Sequence, residues 1–171
     1  MRRTLPILLG TALMLMPAPH AQAHHGWAQF DTSRPYYVEG RVESIRWSNP
    51  HPSIVIAVPQ PLTIPPWLST VELPRAASWA GRMMPDLEIP EGLSPVPEIG
   101  REWTVILAPT TRLADWGMER SDIAVGDSIA VVGFVACDRD EHELRPEFIV
   151  LANRKVVRQR SVPLPATMCR R

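Results

Sequence analysis

The sequence predicts a mainly β protein, built as a small five-stranded barrel with one short helix and a long proline-rich insertion. Several short runs in which apolar residues alternate with polar ones indicate strands with one buried face. The 19 prolines among 171 residues oppose a helical bundle and favour short strands and turns. Apolar residues make up 45% of the chain, which is enough for one ordinary hydrophobic core.

The first 23 residues have the pattern of a secretory signal peptide. Two arginines at positions 2 and 3 precede an apolar run over 5–16, and the small-residue motif Ala-Gln-Ala ends at Ala23. Cleavage after Ala23 predicts an exported protein, periplasmic or secreted, whose mature chain begins at His24. No later segment approaches the ~20 apolar residues that a membrane-spanning helix needs. We therefore expect no transmembrane segment after cleavage.

The mature chain begins with a predicted long strand, a turn and a second strand. The alternation over 36–47 changes phase after Glu43, which indicates a bulge or a sharp coil within the strand. Three of the five residues over 48–52 are Asn or Pro, which predicts a turn. The nearly continuous apolar run over 53–58 predicts a strand that is buried on both faces.

Residues 59–97 differ from the rest of the chain. They contain nine prolines and no sustained strand pattern, and we interpret them as a long inserted loop. One short helix is predicted inside it, with Pro74 at its first position and Pro85 just beyond its end. Loops of this length are either functional or poorly ordered.

Strand pattern resumes after the insertion. Residues 101–108 predict a strand, and Thr111 can cap a single helical turn that ends at Trp116 and Gly117. Two further strands are predicted over 128–136 and 147–151.

This order of elements is strand, strand, strand, short helix, strand, strand. It is the order of the OB-fold, a five-stranded Greek-key barrel, and a small sandwich is the alternative. The predicted organisation is a signal peptide over 1–23, one OB-like domain over 24–153 and a basic tail over 154–171.

Several short motifs rich in His, Trp and Gly occur in a fixed order. They are His24-His25-Gly26-Trp27, Phe30-Asp31, Gly40-x-Val42, Trp47-x-Asn49-Pro50-His51, Trp103, Gly117 and Gly126-Asp127. In these motifs the chain resembles the small exported bacterial proteins of domain of unknown function family 6152. The resemblance covers about 24–58 and 101–152, and the proline-rich stretch departs from the short turn usual in that family. It implies the fold and the exported location and draws attention to the histidines, but the family supplies no established activity.

Cleavage after Ala23 creates a candidate ligand set for copper. His24 then offers its α-amine and its imidazole, which together can close a chelate ring on a metal ion. His51, between two prolines, is the best candidate for a third nitrogen, and His25 is the second choice because it is adjacent to His24. Three nitrogen ligands in a T-shaped set suit Cu(II) and resemble the histidine brace of exported copper proteins and monooxygenases. The alternative is that His24 and His25 form a polar chain terminus and that His51 is only a turn residue.

Three functions remain open at this point. The first is an exported binding module that carries copper, and the second is a metal-free module that docks another envelope protein through the proline-rich insertion. The third, a mononuclear copper oxidase or monooxygenase, needs the same ligands with an open coordination position. The sequence contains neither a Gly-x-Ser-x-Gly elbow nor a His-Glu-x-x-His motif, so binding is favoured over catalysis. The 18 Lys and Arg residues balance 18 Asp and Glu residues, which argues against a nucleic-acid partner.

Cys137 and Cys169 are the two cysteines of the chain. An exported protein meets an oxidising compartment, in which two such cysteines form a disulfide. We therefore predict a bridge between the end of a strand and the C-terminal tail.

Overall fold

The computed structural model describes residues 26–75, 77–97, 102–166 and 168–169. Its regular elements are mainly strands, together with short 3-10 turns and one α-helix, α1, over Thr110–Asp115. The nine strands are β1 Phe30–Arg46, β2 Ser53–Ala57, β3 Ser78–Trp79, β4 Arg82–Met83, β5 Ser94–Pro95, β6 Glu102–Ile106, β7 Ser128–Ala136, β8 Glu143–Val150 and β9 Val156–Arg158.

Five of these strands close into a barrel. β1 pairs with β2, β2 with β6, β8 with β7 and β7 with β1, all antiparallel, while β6 and β8 pair in parallel. The predicted mainly β, five-stranded barrel with one helix is therefore confirmed. The OB-fold label stays a prediction.

β1 is long because it forms two sides of the barrel. Its first part pairs with β7 and its last part, from Arg41 onward, also pairs with β2. The register shifts between Val42 and Ser44, which confirms the phase change predicted after Glu43. A second register shift lies between Phe30 and Pro35. The strand begins at Phe30, six residues before the predicted start at 36.

The barrel interior is filled by alternate side chains of the five strands. Trp103, Ile54 and Ile56 are among the largest fully buried side chains. The N-cap of helix α1 is Pro109 and not the predicted Thr111, so the helix begins two residues earlier than expected. The helix buries Leu113 in the same cluster. β2 alternates between buried and partly exposed residues, so the expectation that it is buried on both faces was wrong.

The proline-rich segment lies across the outside of the barrel. Leu68 and Leu87 are buried in a second apolar cluster with Tyr37 of β1 and Phe148 of β8. β5 adds two residues in parallel to β1. The segment is thus packed against the sheet over much of its described length.

The short helix predicted between Pro74 and Pro85 was wrong. β3 and β4 form a two-stranded hairpin there, and Ala80 and Gly81 at its tip have φ angles of 50° and 73°. A left-handed pair of this kind reverses the chain at once, which a helix cannot do.

The C-terminal part contributes more sheet than predicted. β8 begins at Glu143, four residues before the expected start, and β9 pairs antiparallel with β8. The region predicted as a tail over 154–171 therefore begins with a strand. Within the described ranges, none of the helices is both long and apolar enough to cross a membrane.

Candidate functional site

His51 lies in the turn between β1 and β2, and its side chain is buried, with 7% of the residue exposed. Its Nδ1 atom is 2.7 Å from the main-chain oxygen of Leu107, just after β6. A carbonyl oxygen only accepts hydrogen bonds, so Nδ1 carries the hydrogen in this contact. The neutral ring then has its lone pair on Nε2, the atom that can bind a metal ion.

The turn that holds His51 is tied to the neighbouring elements. The main-chain nitrogen of Leu107 donates to the oxygen of Pro52 at 2.9 Å, so this pair of segments is bonded in both directions. The hydroxyl of Thr110, the first residue of α1, donates to Oδ1 of Asn49 at 2.7 Å. The imidazole of His51 is therefore held by the segment that follows β6, and α1 holds the turn through Asn49.

The other two candidate ligands, His24 and His25, lie outside the described residues. The first described part of the chain runs along the outside of the barrel. The ring of Trp27 packs edge-on against Phe134 of β7, with 6.1 Å between the ring centroids, and the guanidinium of Arg145 in β8 lies 4.9 Å from its centre. Burial lowers the pKa of Arg145 to about 10, which leaves the side chain charged at neutral pH.

The strand registers give the distance from Arg145, which lies under Trp27, to the neighbourhood of His51. Phe134 pairs with Arg145, and the parallel register in which Val105 faces Leu144 brings Ile106 beside Arg145. Ile106 in turn pairs with Ser53, two residues after His51. Arg145 and Ser53 are therefore about 10 Å apart, because neighbouring strands are spaced by ~4.8 Å. The described residues alone contain no group of three or more His, Cys, Asp or Glu side chains that could hold a metal ion.

Cys137 and Cys169 are joined by a disulfide in the structure, with their Cα atoms 5.3 Å apart. The chain before Cys169 also contacts the barrel. Leu164 packs on the cluster of Phe30, Phe134 and Ala136, and Thr32 donates a hydrogen bond of 2.6 Å to the oxygen of Pro165. The disulfide therefore closes a segment that follows the outer surface of the barrel.

The proline-rich segment uses its two tryptophans within the protein. Trp79 donates from Nε1 to Asp115 at 2.9 Å and is covered by the guanidinium of Arg112, 4.6 Å from the ring centre. Trp67 is covered in the same way by Arg154, at 4.3 Å. Among the described residues of this segment, Met83 is the large apolar side chain that is most exposed, at 70%. A partner that docks on this segment meets few free apolar side chains.

A group of buried polar side chains on β8 and around the end of β9 was not predicted from the sequence. Glu147 in β8 and Arg158, Gln159 and Arg160 around the end of β9 are all less than one-tenth exposed. The basic residues belong to the region predicted as a basic tail over 154–171. The one available signal was Glu147, a single acid directly before an apolar run in a predicted strand.

Residues 13–83 match a family model described as Family of unknown function (DUF6152). The matched range begins inside the predicted signal peptide, includes the three candidate histidines and continues through the first part of the proline-rich segment. No curated protein and no solved structure matches the chain. The match over residues 13–83 supports membership of the family of unknown function DUF6152.

Proposed function

We propose that the protein is an exported β-barrel binding protein that holds one Cu(II) ion through the α-amine and imidazole of His24 and Nε2 of His51. The observation that carries this proposal is the hydrogen bond from Nδ1 of His51 to the oxygen of Leu107. Metal-binding histidines usually donate their second ring nitrogen to a carbonyl or carboxylate, which fixes the tautomer and the ring orientation. A ligand held in this way loses little entropy on binding a metal ion.

The distance between the two ends of the site supports a shared ion. Trp27 lies over Arg145, and two strand spacings, about 10 Å, separate Arg145 from Ser53 beside His51. His24 precedes Trp27 by three residues, which span at most about 10 Å when extended. The mature N-terminus is therefore long enough to approach His51. If His24 does not reach His51, His25 is the second choice for the third nitrogen ligand.

The donor set favours copper over other ions. One amine and two imidazoles give three nitrogen ligands, and all-nitrogen sites with tetragonal geometry are typical of Cu(II). Zinc prefers tetrahedral sites with four ligands, often including sulfur. Both cysteines are joined in the disulfide and supply no thiolate.

Export is supported by the disulfide as well as by the leader. Stable disulfides are rare in the cytosol and common in periplasmic and secreted proteins. The bridge links Cys137 at the end of β7 to Cys169, 32 residues later, and so ties the C-terminal segment to the barrel. We therefore propose a periplasmic or secreted location.

Two alternatives remain. A metal-free docking module would use the proline-rich segment, and the exposed Met83 at the end of β4 is the observation in its favour. A copper oxidase or monooxygenase would use the same three nitrogen ligands and an open position for oxygen. Oxygen consumption by the copper-loaded protein in the presence of a reductant separates the enzyme from the binding protein.

Metal content tests the proposal. The protein should be purified after export and processing in its own envelope, because a retained Met or tag blocks the amine of His24. We expect about one copper ion per chain in the binding-competent protein. A processed protein that neither contains copper nor takes it up from a Cu(II) buffer would favour the docking module.

A further inference from the structure

A pocket borders the buried polar group and is lined by two of its members, Glu147 and Arg160. It has a volume of about 330 Å³ and is formed between β1, β7, β8 and the proline-rich segment. The register shift between Phe30 and Pro35 opens this part of β1 away from β7, and Thr32, Ser33 and Pro35 line the pocket there. A volume of this size suits a small molecule rather than a protein segment.

The pocket is acidic although the whole chain carries no net charge. One wall, from the proline-rich segment, supplies Asp86, Glu88 and Glu91, and β8 supplies Glu147. Among the described residues that line it, Arg160 is the one basic side chain. Arg158 is also near, since its charge interacts with that of Asp86. Four carboxylates against two guanidiniums still leave an excess of negative charge.

Glu147 makes this more than a cluster of surface acids. The residue is only 4% exposed, and its Oε2 accepts a hydrogen bond of 2.7 Å from Nε of Arg160. Its Oε1 has no hydrogen-bond partner among the described residues. A buried carboxylate oxygen without a partner is costly, and a cation close to it lowers that cost.

The walls also suit the aliphatic part of a ligand. Phe134 and Leu164 line the pocket beside the carboxylates. Methylene groups pack against such side chains, and an ammonium group is attracted to the face of an aromatic ring. Acidic groups on two separate elements, with apolar surface between them, match a molecule that carries positive charge at both ends.

We propose that this acidic pocket is a binding site for small aliphatic diamines or polyamines. One ammonium group lies near Glu88 and Glu91 on the proline-rich segment, and the other lies towards Glu147. Arg158 holds the wall in place, since its Nη1 donates to the oxygen of Pro85 at 2.7 Å. The site is independent of His51 and of copper.

The probe for this proposal is 1,4-diaminobutane, titrated into the full mature protein at neutral pH and low salt by calorimetry. We expect saturable binding of one molecule per chain. Replacing both rim acids, Glu88→Gln with Glu91→Gln, should weaken binding by about tenfold or more, because two exposed charges that face the ligand are lost. The double variant Glu43→Gln with Glu72→Gln removes two exposed acids that do not line the pocket, and it should bind like the parent.

Further variants and ligands test which class of molecule binds and whether it binds in this pocket. Glu147→Gln should also weaken binding, and circular dichroism shows whether this variant is folded. 1,4-Butanediol, which has the same length and no charge, should not bind, and His51→Ala should leave diamine binding unchanged. The proposal is overturned if the diamine does not saturate, if the diol binds equally well, or if both double variants lose the same affinity. Tighter binding of Ca²⁺ to the same carboxylates would also overturn it, in favour of a metal site.

Discussion

Glu147 and Arg160 form an ion pair in the interior of the protein, with 2.7 Å between Oε2 and Nε. Burial raises the pKa of the Glu147 carboxyl, and the charges of Arg160 and Arg158 only partly oppose this effect. The folded protein therefore binds a proton on Glu147 more tightly than the unfolded chain does. A buried pair of this kind costs desolvation energy that its own attraction does not fully return.

This difference predicts how stability depends on pH. The free energy of unfolding should fall as pH rises from about 4.3, the unfolded carboxyl value, to the higher pKa of folded Glu147. Glu147→Gln cannot titrate and should lack this slope, which is at most about 1.4 kcal/mol per pH unit. Urea denaturation of both proteins between acid and neutral pH measures the difference. If the parent instead gains stability over the variant as pH rises, the attraction of Arg160 outweighs burial.

The disulfide should stabilise the protein by restricting the unfolded chain. Replacing Cys137 and Cys169 together with Ser should lower the free energy of unfolding by about 3–4 kcal/mol, the value expected for closing a loop of this length. Denaturant unfolding of parent and variant, each with and without reductant, provides the comparison, and reductant should affect only the parent. Two free thiols per chain in the denatured, unreduced parent would contradict the bridge.

Gly40 should not tolerate a larger side chain. A Cβ atom at this position would collide with the main-chain oxygen of Ala57 on β2 and approach the Cβ of Ile56 to 3.3 Å. Gly40→Ala should therefore cost about 1–3 kcal/mol of stability, as overpacking does elsewhere. Gly26→Ala is the matched control, because the nearest atom to its Cβ is 3.8 Å away. Equal unfolding midpoints for the two variants would show that β1 and β2 can separate without cost.

The barrel could be predicted because its strands have local patterns. Alternation predicted β6, and apolar runs predicted β2 and β7, each within a few residues. The phase change after Glu43 indicated the register shift in β1. These features depend on which face of one strand is buried, and that information lies within a short stretch of sequence.

The missed elements depend on contacts that are distant in sequence. β9 contains three residues, Val156–Arg158, and exists because it pairs with β8. The hairpin over 78–83 packs beside α1 through Trp79 and Asp115, which are 36 residues apart. The position of His51 could be predicted as a turn, but its bond to Leu107 could not, because nothing near either residue encodes the pairing of their segments.

Processing of the leader is predicted to release His24 as the first residue. Replacing Ala23 with Arg should block cleavage after this position, because the signal peptidase site needs a small residue there. Intact-mass measurement of the exported parent and of the variant tests both statements. A mature parent that begins at Gln22 or earlier would remove the amine from the proposed copper site.

His51 should determine copper affinity more than any other described histidine. His51→Ala removes the ligand that Leu107 holds in place, so the mature variant should lose most of its Cu(II) affinity and change its electron paramagnetic resonance spectrum. His142→Ala is the control, because that ring packs on Trp103 at 5.6 Å and belongs to another part of the barrel. One extra residue before His24 should weaken binding further, since it displaces the amine from its chelate ring.

Protons should compete with copper at this site. The free amine and imidazole have pKa values near ~7.7–8.0 and ~6.5, and both must lose their protons to coordinate a metal ion. Cu(II) affinity of the parent should therefore fall steadily as pH is lowered below neutrality. The thermal midpoint of each variant without metal distinguishes a lost ligand from a damaged fold. If His51→Ala and the extended protein retain the affinity and spectrum of the parent, copper is not bound by His24 and His51, and the fixed imidazole serves only to join the β1–β2 turn to β6.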